Sequence, residues 1–526
     1  MNNHLTNYLK NGLRYVAANL IMLSVVPQLY AGSVPTPMTD TGQVICYSNS
    51  GAMSFARQNS RFFGQDANYA STPMDYRDNG DGTVTDLVTG LMWSQEVDAQ
   101  KMSLSEAKRS ARNLDLGGYS DWRVPNIKEL YSLINFSGNT GMARPGSSQS
   151  RVRNAVPYIN TDYFNFKFGD VDAGERYIDA QWLSSTKYVS TTMNGQSTLF
   201  GVNFADGRIK GYGYGNRGPR GEKKFYVRYV RGDAYGYNNF QDNGNGTVTD
   251  HATGLTWMQT DSGRAMTWQE ALAHARSANF GGYSDWRLPN AKELQYIVDY
   301  SRSPDTTSSA AIDPVFSCTP ITNEAGQTDF GHYWTGTSHL DGRRPGDSAV
   351  YVAFGRAMGQ MRGQVMDVHG AGAQRSDPKT GSSRIGHGPQ GDARRVNNMV
   401  RLVRGGNVGV VTQAPAVDRS QYPFVVTIDP GYEARISGNQ SFGQPGGNSQ
   451  HQFGQSNFGG PQSGNISGHQ GHPSFVNRLD RNGDNRVSKS EFDGPSNHFS
   501  RFDRNNDGFI TEDEAPTGPP PGRKRQ

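Results

Sequence analysis

Cysteine is almost absent. With only Cys46 and Cys318 in 526 residues, neither a disulfide framework nor a cysteine-ligated zinc cluster can organise the chain. Catalytic signatures are missing as well: there is no HExxH, GxSxG or Walker A pattern, and the 11 histidines form no paired cluster. That absence points away from an enzyme. Neither sign of charge dominates. Lys and Arg number 52 against 48 Asp and Glu, and a net +4 does not call for a nucleic-acid partner. Long apolar runs are lacking too. Only Tyr15 to Val26 is mostly apolar, short of the ~20 residues a membrane span needs, so an integral membrane protein is not expected.

That run has another reading. Lys10 and Arg14 stand before or at its start, Pro27 breaks it, and Leu29-Tyr30-Ala31 sets a small residue before a cut at Gly32. This is the layout of an export signal over residues 1–31, and it predicts a periplasmic or cell-surface protein. Export makes a disulfide chemically possible. The sequence leaves open whether Cys46 and Cys318 are bridged or stand as separate thiols.

What the chain has in excess is glycine, 64 residues or about 12% against an ordinary ~7%, and a stretch that it carries twice. Gly117 to Leu130 reads GGYSDWRVPNIKEL and Gly281 to Leu294 reads GGYSDWRLPNAKEL, identical at twelve of fourteen positions and offset by 164 residues (281 − 117). Asp78 to Asp86, DNGDGTVTD, returns as DNGNGTVTD at Asp242 to Asp250 with the same offset. So long a period is a duplicated domain and not a solenoid repeat. A lead-in (32–70) is followed by copy one (71–232) and copy two (233–405).

Within each copy the local signals agree. DNGDG is a turn between short strands at Thr83–Thr85 and Leu91–Trp93. Ser103 with Glu106, and Thr267 with Glu270, form capping boxes ahead of a first helix, with Leu104, Ala107, Ala111 and Leu114 on one face. Gly117-Gly118 and Gly281-Gly282 are expected to stop that helix as a left-handed C-cap. Asn126 with Glu129, and Asn290 with Glu293, start a second helix. Trp182 is matched to Trp334, at an offset of 152 (334 − 182), and YVRYVRG (226–232) to MVRLVRG (399–405) as closing strands. Beyond 405 the composition turns to Gly, Gln, Asn, Ser and Pro, a flexible linker over 406–474. Residues 516–526 are a Pro/Gly tail with a basic tip.

Between them, residues 475–515 hold the clearest chemistry. Asp480 to Glu491 and Asp503 to Glu514 each fit the twelve-residue EF-hand loop, in which a hard cation takes six to eight oxygen ligands. Loop one offers Asp480, Asn482, Asp484, the Arg486 carbonyl, Ser488 and Glu491. Loop two offers Asp503, Asn505, Asp507, the Phe509 carbonyl, Thr511 and Glu514. Ca2+ is the expected ion. Val487 and Ile510 stand at position 8, where paired loops join by a two-stranded contact. Position 6 is Gly508 in loop two and Asn485 in loop one, which makes loop one the weaker site. The DNGDG stretches are not read as calcium loops, because Arg77 and Val88, or Gln241 and Ala252, would fall on positions 1 and 12; they read as hairpin turns.

The ordered pattern DNGxGTVTD, TGLxW, GGYSDWRxPNxKEL, VRG resembles the Lcl C-terminal domain family, a bacterial extracytoplasmic domain, over Asp78–Gly232 and Asp242–Gly405. The lead-in also looks like family sequence, though the second cysteine that usually follows the first in the family is absent. The resemblance implies an α+β fold of tandem C-type-lectin-like domains; with the linker and calcium loops added, the expected order is these domains, a disordered linker and a small α-helical EF-hand pair. It implies adhesion or glycan binding more than catalysis. The superfamily's calcium-sugar triplets are not found, since Val124 and Leu288 precede Pro125-Asn126 and Pro289-Asn290, and no such site is carried over. Tyr212 and Tyr214 in GYGYG are expected as exposed rings for sugar stacking. Trp93, Trp122, Trp257 and Trp286 are expected in the core. Asp121, Arg123, Asp285 and Arg287 read either as a glycan-binding patch or, preferred, as ties between loop and frame.

The reading is an exported, non-enzymatic calcium-binding protein that recognises a glycan or extracellular matrix polymer. An envelope scaffold binding protein partners is the alternative, and an enzyme of the formylglycine-generating fold a distant third.

Overall fold

Four capping boxes close as the residue types demand. Helix α1 (Leu104–Arg112) starts at Ser103 with Glu106, α2 (Ile127–Ser132) at Asn126 with Glu129, α3 (Trp268–Ser277) at Thr267 with Glu270, and α4 (Ala291–Tyr296) at Asn290 with Glu293. In each, two orphan N–H groups of the first turn are satisfied reciprocally. The glycine pairs do not cap α1 and α3, which end at Arg112 and Ser277. Gly117 and Gly118 have φ of 61° and 78°, and Leu116 and Tyr119 exchange both backbone hydrogen bonds around them; Gly281 and Gly282 do the same between Phe280 and Tyr283. Two successive left-handed residues fit a type I′ hairpin turn, so the glycines serve a turn and not a helix stop.

The computed structural model describes residues 36–97, 100–141, 155–215, 221–342 and 344–414. In the tail it describes 479, 486–489, 491–492, 499, 502–503 and 508–511. The expected export signal, nearly all of the linker and the basic tip lie outside these residues. The chain divides into two units, 1–440 and 441–526. The described part of the first is mainly β with these four helices.

Each copy builds the same four-stranded antiparallel sheet. Tyr76–Asp78, Thr83–Asp86, Met92–Ser94 and Val230–Arg231 form it in copy one; Phe240–Asp242, Thr247–Asp250, Leu255–Met258 and Val403–Gly405 form it in copy two. The DNGDG and DNGNG turns are the hairpins expected. Gly80 N–H donates to Asp78 Oδ1 at 2.8 Å and Gly244 N–H to Asp242 Oδ1 at 2.8 Å, the side-chain turns that Asp favours.

The copies are then fused. Gln181–Thr192, Gln196–Asn203 and Arg208–Gly213 of copy one meet Gln374–Pro378, Ser348–Ala353 and His332–His339 of copy two in one six-stranded sheet, joined where Gln374 pairs with Ile209. A single hydrophobic cluster draws Trp93, Leu130, Trp182 and Phe200 from copy one and Trp257, Leu294, Tyr333 and Val350 from copy two. Residues 36–232 expressed alone would leave the Phe200–Ile209 face in water. We expect that fragment to remain unfolded by near-UV circular dichroism while residues 36–414 fold; an ordered fragment would refute this.

Register also corrects one pairing. Trp182 bridges Tyr226 and Tyr333 bridges Met399, while Leu183 and Trp334 donate backbone N–H bonds to Tyr226 and Met399 in turn. Trp182 therefore corresponds to Tyr333, at an offset of 151 (333 − 182), and Trp334 to Leu183. Matching indole to indole is off by one residue, because main-chain pairing and not side-chain identity sets the register.

The lead-in packs on copy two. Cys46, Met53, Ala56, Phe62 and Ala67 share a cluster with Trp268, Leu272 and Trp334. Tyr69–Ala70 pairs with Gly409–Val410, so the first residues assigned to the linker belong to the fold. Local sterics suit copy two for this. A Cβ at Gly336 would stand 3.1 Å from the Asp66 nitrogen. Copy one has Ser185 at the matching place, since Ser185 and Gly336 donate to the matched carbonyls of Pro125 and Pro289. Buried Lys292 secures the lead-in by donating to Thr39 Oγ1 and Asp40 O at 2.7 and 2.8 Å, and it also donates to Ser132 O at the end of α2 in copy one at 2.9 Å. Cys46 is buried and accepts from the Ala56 N–H at 3.4 Å, Cys318 is half-buried, and the two are not bridged to each other.

Burial raises the carboxyls of Asp66, Asp367 and Asp377 to about 7. A raised carboxyl keeps a proton in the native state that the unfolded chain releases above about 4, so its stabilising share is full at low pH and lost as pH climbs through 7. Asp367→Asn should therefore flatten the decline in stability between pH 5 and 7 by on the order of 1 kcal/mol per pH unit. Urea midpoints across that range test it, and parallel profiles for the two proteins would reject it.

Candidate functional site

The duplicated stretch works as a clasp, built twice. After its hairpin, the Trp122 indole N–H donates to the Leu116 and Tyr119 carbonyls at 3.2 and 2.9 Å, and Trp286 to those of Phe280 and Tyr283 at 3.1 Å each. Asp121 accepts from Arg231 Nε at 2.7 Å and Asp285 from Arg404 Nε at 2.6 Å, and these arginines hold both carboxyls below the usual range. The same guanidinium groups lie 3.6 Å over the Tyr119 ring and 3.7 Å over that of Tyr283. Arg123 pairs with Glu129, and Arg287 with Glu293, each carboxylate also closing its capping box. The aspartates and arginines thus tie loop to frame, as their spacing suggested. Trp93 and Trp257 are fully buried, and Trp122 and Trp286 nearly so.

The tyrosines of GYGYG are not an exposed sugar platform. Gly211–Gly213 continue a strand, Tyr212 is buried among Leu104, Leu199 and Phe225, and Tyr214 packs half-buried against that cluster. Glycine-rich composition suggested a loop, but sheet pairing with Gln196–Asn203 and burial against α1 took these residues instead.

One surface feature was not legible in the sequence. Helix α1 exposes Lys108, Arg109 and Arg112, and Lys224 pairs with Glu106 in its first turn at 3.0 Å. Lys223 lies 4.4 Å from the Tyr212 ring centre and Lys187 5.5 Å from that of Tyr214, both rings belonging to the cluster under α1. Six cations from three segments therefore lie around one side of copy one. On copy two, helix α3 has only His274 and Arg276 as basic groups near its end, and Arg276 donates to Phe63 O of the lead-in.

The family model of the Lcl C-terminal domain matches residues 82–231 and again 246–369, together just over half of the sequence. The chain belongs to the Lcl C-terminal domain family. No curated protein and no solved structure matches it. The clasp of copy one and the cationic side of α1 both fall within the first Lcl C-terminal match, whereas Arg404 of the second clasp lies beyond the second match. Strand Val403–Gly405 lies beyond the second match, yet it closes that copy's sheet against Leu255–Met258. Among the described residues no helix is long and apolar enough to cross a membrane.

The calcium-loop residues lie outside both Lcl matches. Asp480, Asn482, Asp484, Asn505, Asp507 and Glu514 are not among the described residues; Arg486, Ser488, Glu491, Asp503, Phe509 and Thr511 are. Val487 pairs antiparallel with Ile510, and Ser488 with Phe509, at the positions anticipated for the loop–loop contact. Glu491 Oε2 accepts from Ser488 N–H and Oγ–H at 2.8 and 2.6 Å. Gly508, at φ 87°, donates its N–H to Asp503 Oδ2 at 3.1 Å. Leu479, Val487, Phe499 and Ile510 form the small buried core beside them. No group of three His, Cys, Asp or Glu side chains fit to hold a metal occurs among the described residues.

Proposed function

We propose that this is an exported, non-enzymatic recognition protein: its two Lcl copies, lectin-like in fold, bind a glycan or other matrix polymer, and a C-terminal EF-hand pair binds Ca2+. The observation that carries the binding half is the cationic side of copy one. Lys108, Arg109, Arg112, Lys187, Lys223 and Lys224 suit an acidic polymer, whose charge would be attracted over roughly 10 Å at moderate salt. The calcium half is supported by the 487–510 pairing and by the Gly508–Asp503 bond, which set position 8 against position 8 and position 6 toward position 1.

The test is a glycan and matrix-polymer array with the full chain. Wild type should retain acidic polymers, and the Lys108→Glu, Arg109→Glu, Arg112→Glu triple variant should lose at least about tenfold in affinity at low salt. Equal retention by both proteins, or no binding to any polymer, refutes the reading. The envelope-scaffold alternative predicts instead that protein partners are captured and that a chelator releases them.

A further inference from the structure

The duplicated stretch diverges in the wrong place for a purely structural element. Its two changes, Val124 to Leu288 and Ile127 to Ala291, are both buried. Its exposed positions, Gly118–Asp121 and Gly282–Asp285, are all unchanged. Packing normally restrains buried positions, whereas surface substitutions cost within about 0.5 kcal/mol. The left-handed turn accounts for Gly118 and Gly282. Tyr and Asp meet the neighbouring arginine, but their outer surfaces face water: Tyr119 and Tyr283 are 40% and 39% exposed, and the Asp121 and Asp285 side chains 61% and 58%. Of the large exposed hydrophobic residues described, these tyrosines are the one pair at matched positions of the two copies. Ser120 and Ser284 are exposed and take no part in the clasp.

We propose that Tyr119-Ser120-Asp121 with Arg231, and Tyr283-Ser284-Asp285 with Arg404, are two equivalent saccharide subsites, each taking one sugar ring of a repeating polysaccharide. Each offers the chemistry such a ring requires. An aromatic surface, stacked on one side by a guanidinium, presents its remaining area to C–H groups. The carboxylate bonds the arginine through Oδ1 and can accept from a sugar hydroxyl, while the serine hydroxyl can donate or accept. Two identical sites on one fused body match a polymer with an identical unit repeated along it, and joint occupancy raises avidity without any new contact. This rests on the polymer-binding reading above, and adds a contact that salt does not screen to the cationic one that it does.

The experiment measures binding of full-length protein to the polymers retained on the array, at low and at high salt, by surface plasmon resonance. Ser120→Trp with Ser284→Trp covers both subsites from exposed positions outside the clasp, and Asp121→Asn with Asp285→Asn keeps shape while removing the charge. An unchanged thermal midpoint of the tryptophan variant confirms its folding; the asparagine variant, which weakens a tie of the clasp, is measured well below its own midpoint. The double tryptophan variant should lose about 10–100-fold of the binding that persists at high salt, and either single variant an intermediate amount. Wild-type binding at high salt that both double variants retain overturns the subsites and leaves the cationic reading standing. Wild-type binding abolished by salt also overturns them. No wild-type binding at any salt overturns both.

Discussion

Arg287→Ala is expected to destabilise the first unit by about 3–5 kcal/mol, and Arg123→Ala, at the same position of the other copy, by only about 1–2 kcal/mol. The two arginines occupy one motif and differ in burial. Arg287 and Glu293 are each 5% exposed and meet through two parallel bonds of 2.6 and 2.7 Å. Removing the cation strands a carboxylate in the interior, where its desolvation is uncompensated. Arg123 is 37% exposed and makes one bond of 2.7 Å to Glu129. Glu129 itself is 1% exposed, but water can enter the space that this exposed arginine leaves and solvate it, and like Glu293 it keeps its capping bond. Lys292 lies one residue before Glu293 and holds the lead-in, so loss of Arg287 also loosens the 36–72 segment, whose Tyr69 ring sits 5.5 Å from that guanidinium. Urea unfolding of the two variants decides this, and equal losses would contradict it.

Calcium removal is expected to have the second large effect, confined to the tail. A segment of about 40 residues cannot stabilise itself on a core this small without a staple such as a metal. Its described core is Leu479, Val487, Phe499 and Ile510, with Phe492 and Phe502 half-buried beside them. Binding free energy would then be folding free energy. Hydrogen exchange on the full chain should show the Val487, Ser488, Phe509 and Ile510 amides protected in calcium and unprotected in chelator, with the 36–414 unit unchanged. Glu491→Gln, at the position proposed for the bidentate ligand, should raise the calcium needed by at least about tenfold. Protection that survives chelation in the wild type would sink the calcium-dependent fold.

Much of the architecture was legible because it is local. Capping boxes at Ser103, Asn126, Thr267 and Asn290 each depend on two residues three apart, and such signals need no tertiary information. The DNGDG hairpins and the core tryptophans were readable for the same reason, through turn chemistry and internal repetition. The errors were also physical. Gly117-Gly118 carries the conformational freedom of either a C-cap or a type I′ turn, and only the end of α1 at Arg112 distinguishes them. GYGYG has a loop's composition, yet its backbone completes a sheet. Of the candidate site, the clasp was recognisable from its spacing. The cationic side of copy one was not, because it collects Lys108, Lys187 and Lys224 from segments with no common sequence signal.

The GGYSDWR stretch shows where the two sources of information part. By itself the sequence determined that the chain carries one domain twice, since an offset of 164 residues (281 − 117) is kept by two separate landmarks, and it determined the turns and helix starts of each copy. Tertiary structure alone decided that the copies share one six-stranded sheet and one core, and that the lead-in crosses copy one to pack on copy two. The pairing of Ile209 with Gln374, and the space that Gly336 leaves for Asp66, join residues too distant along the chain for any local pattern to relate them. The identical exposed residues of the two copies could likewise be proposed as subsites only once burial showed which positions of the repeated stretch face water.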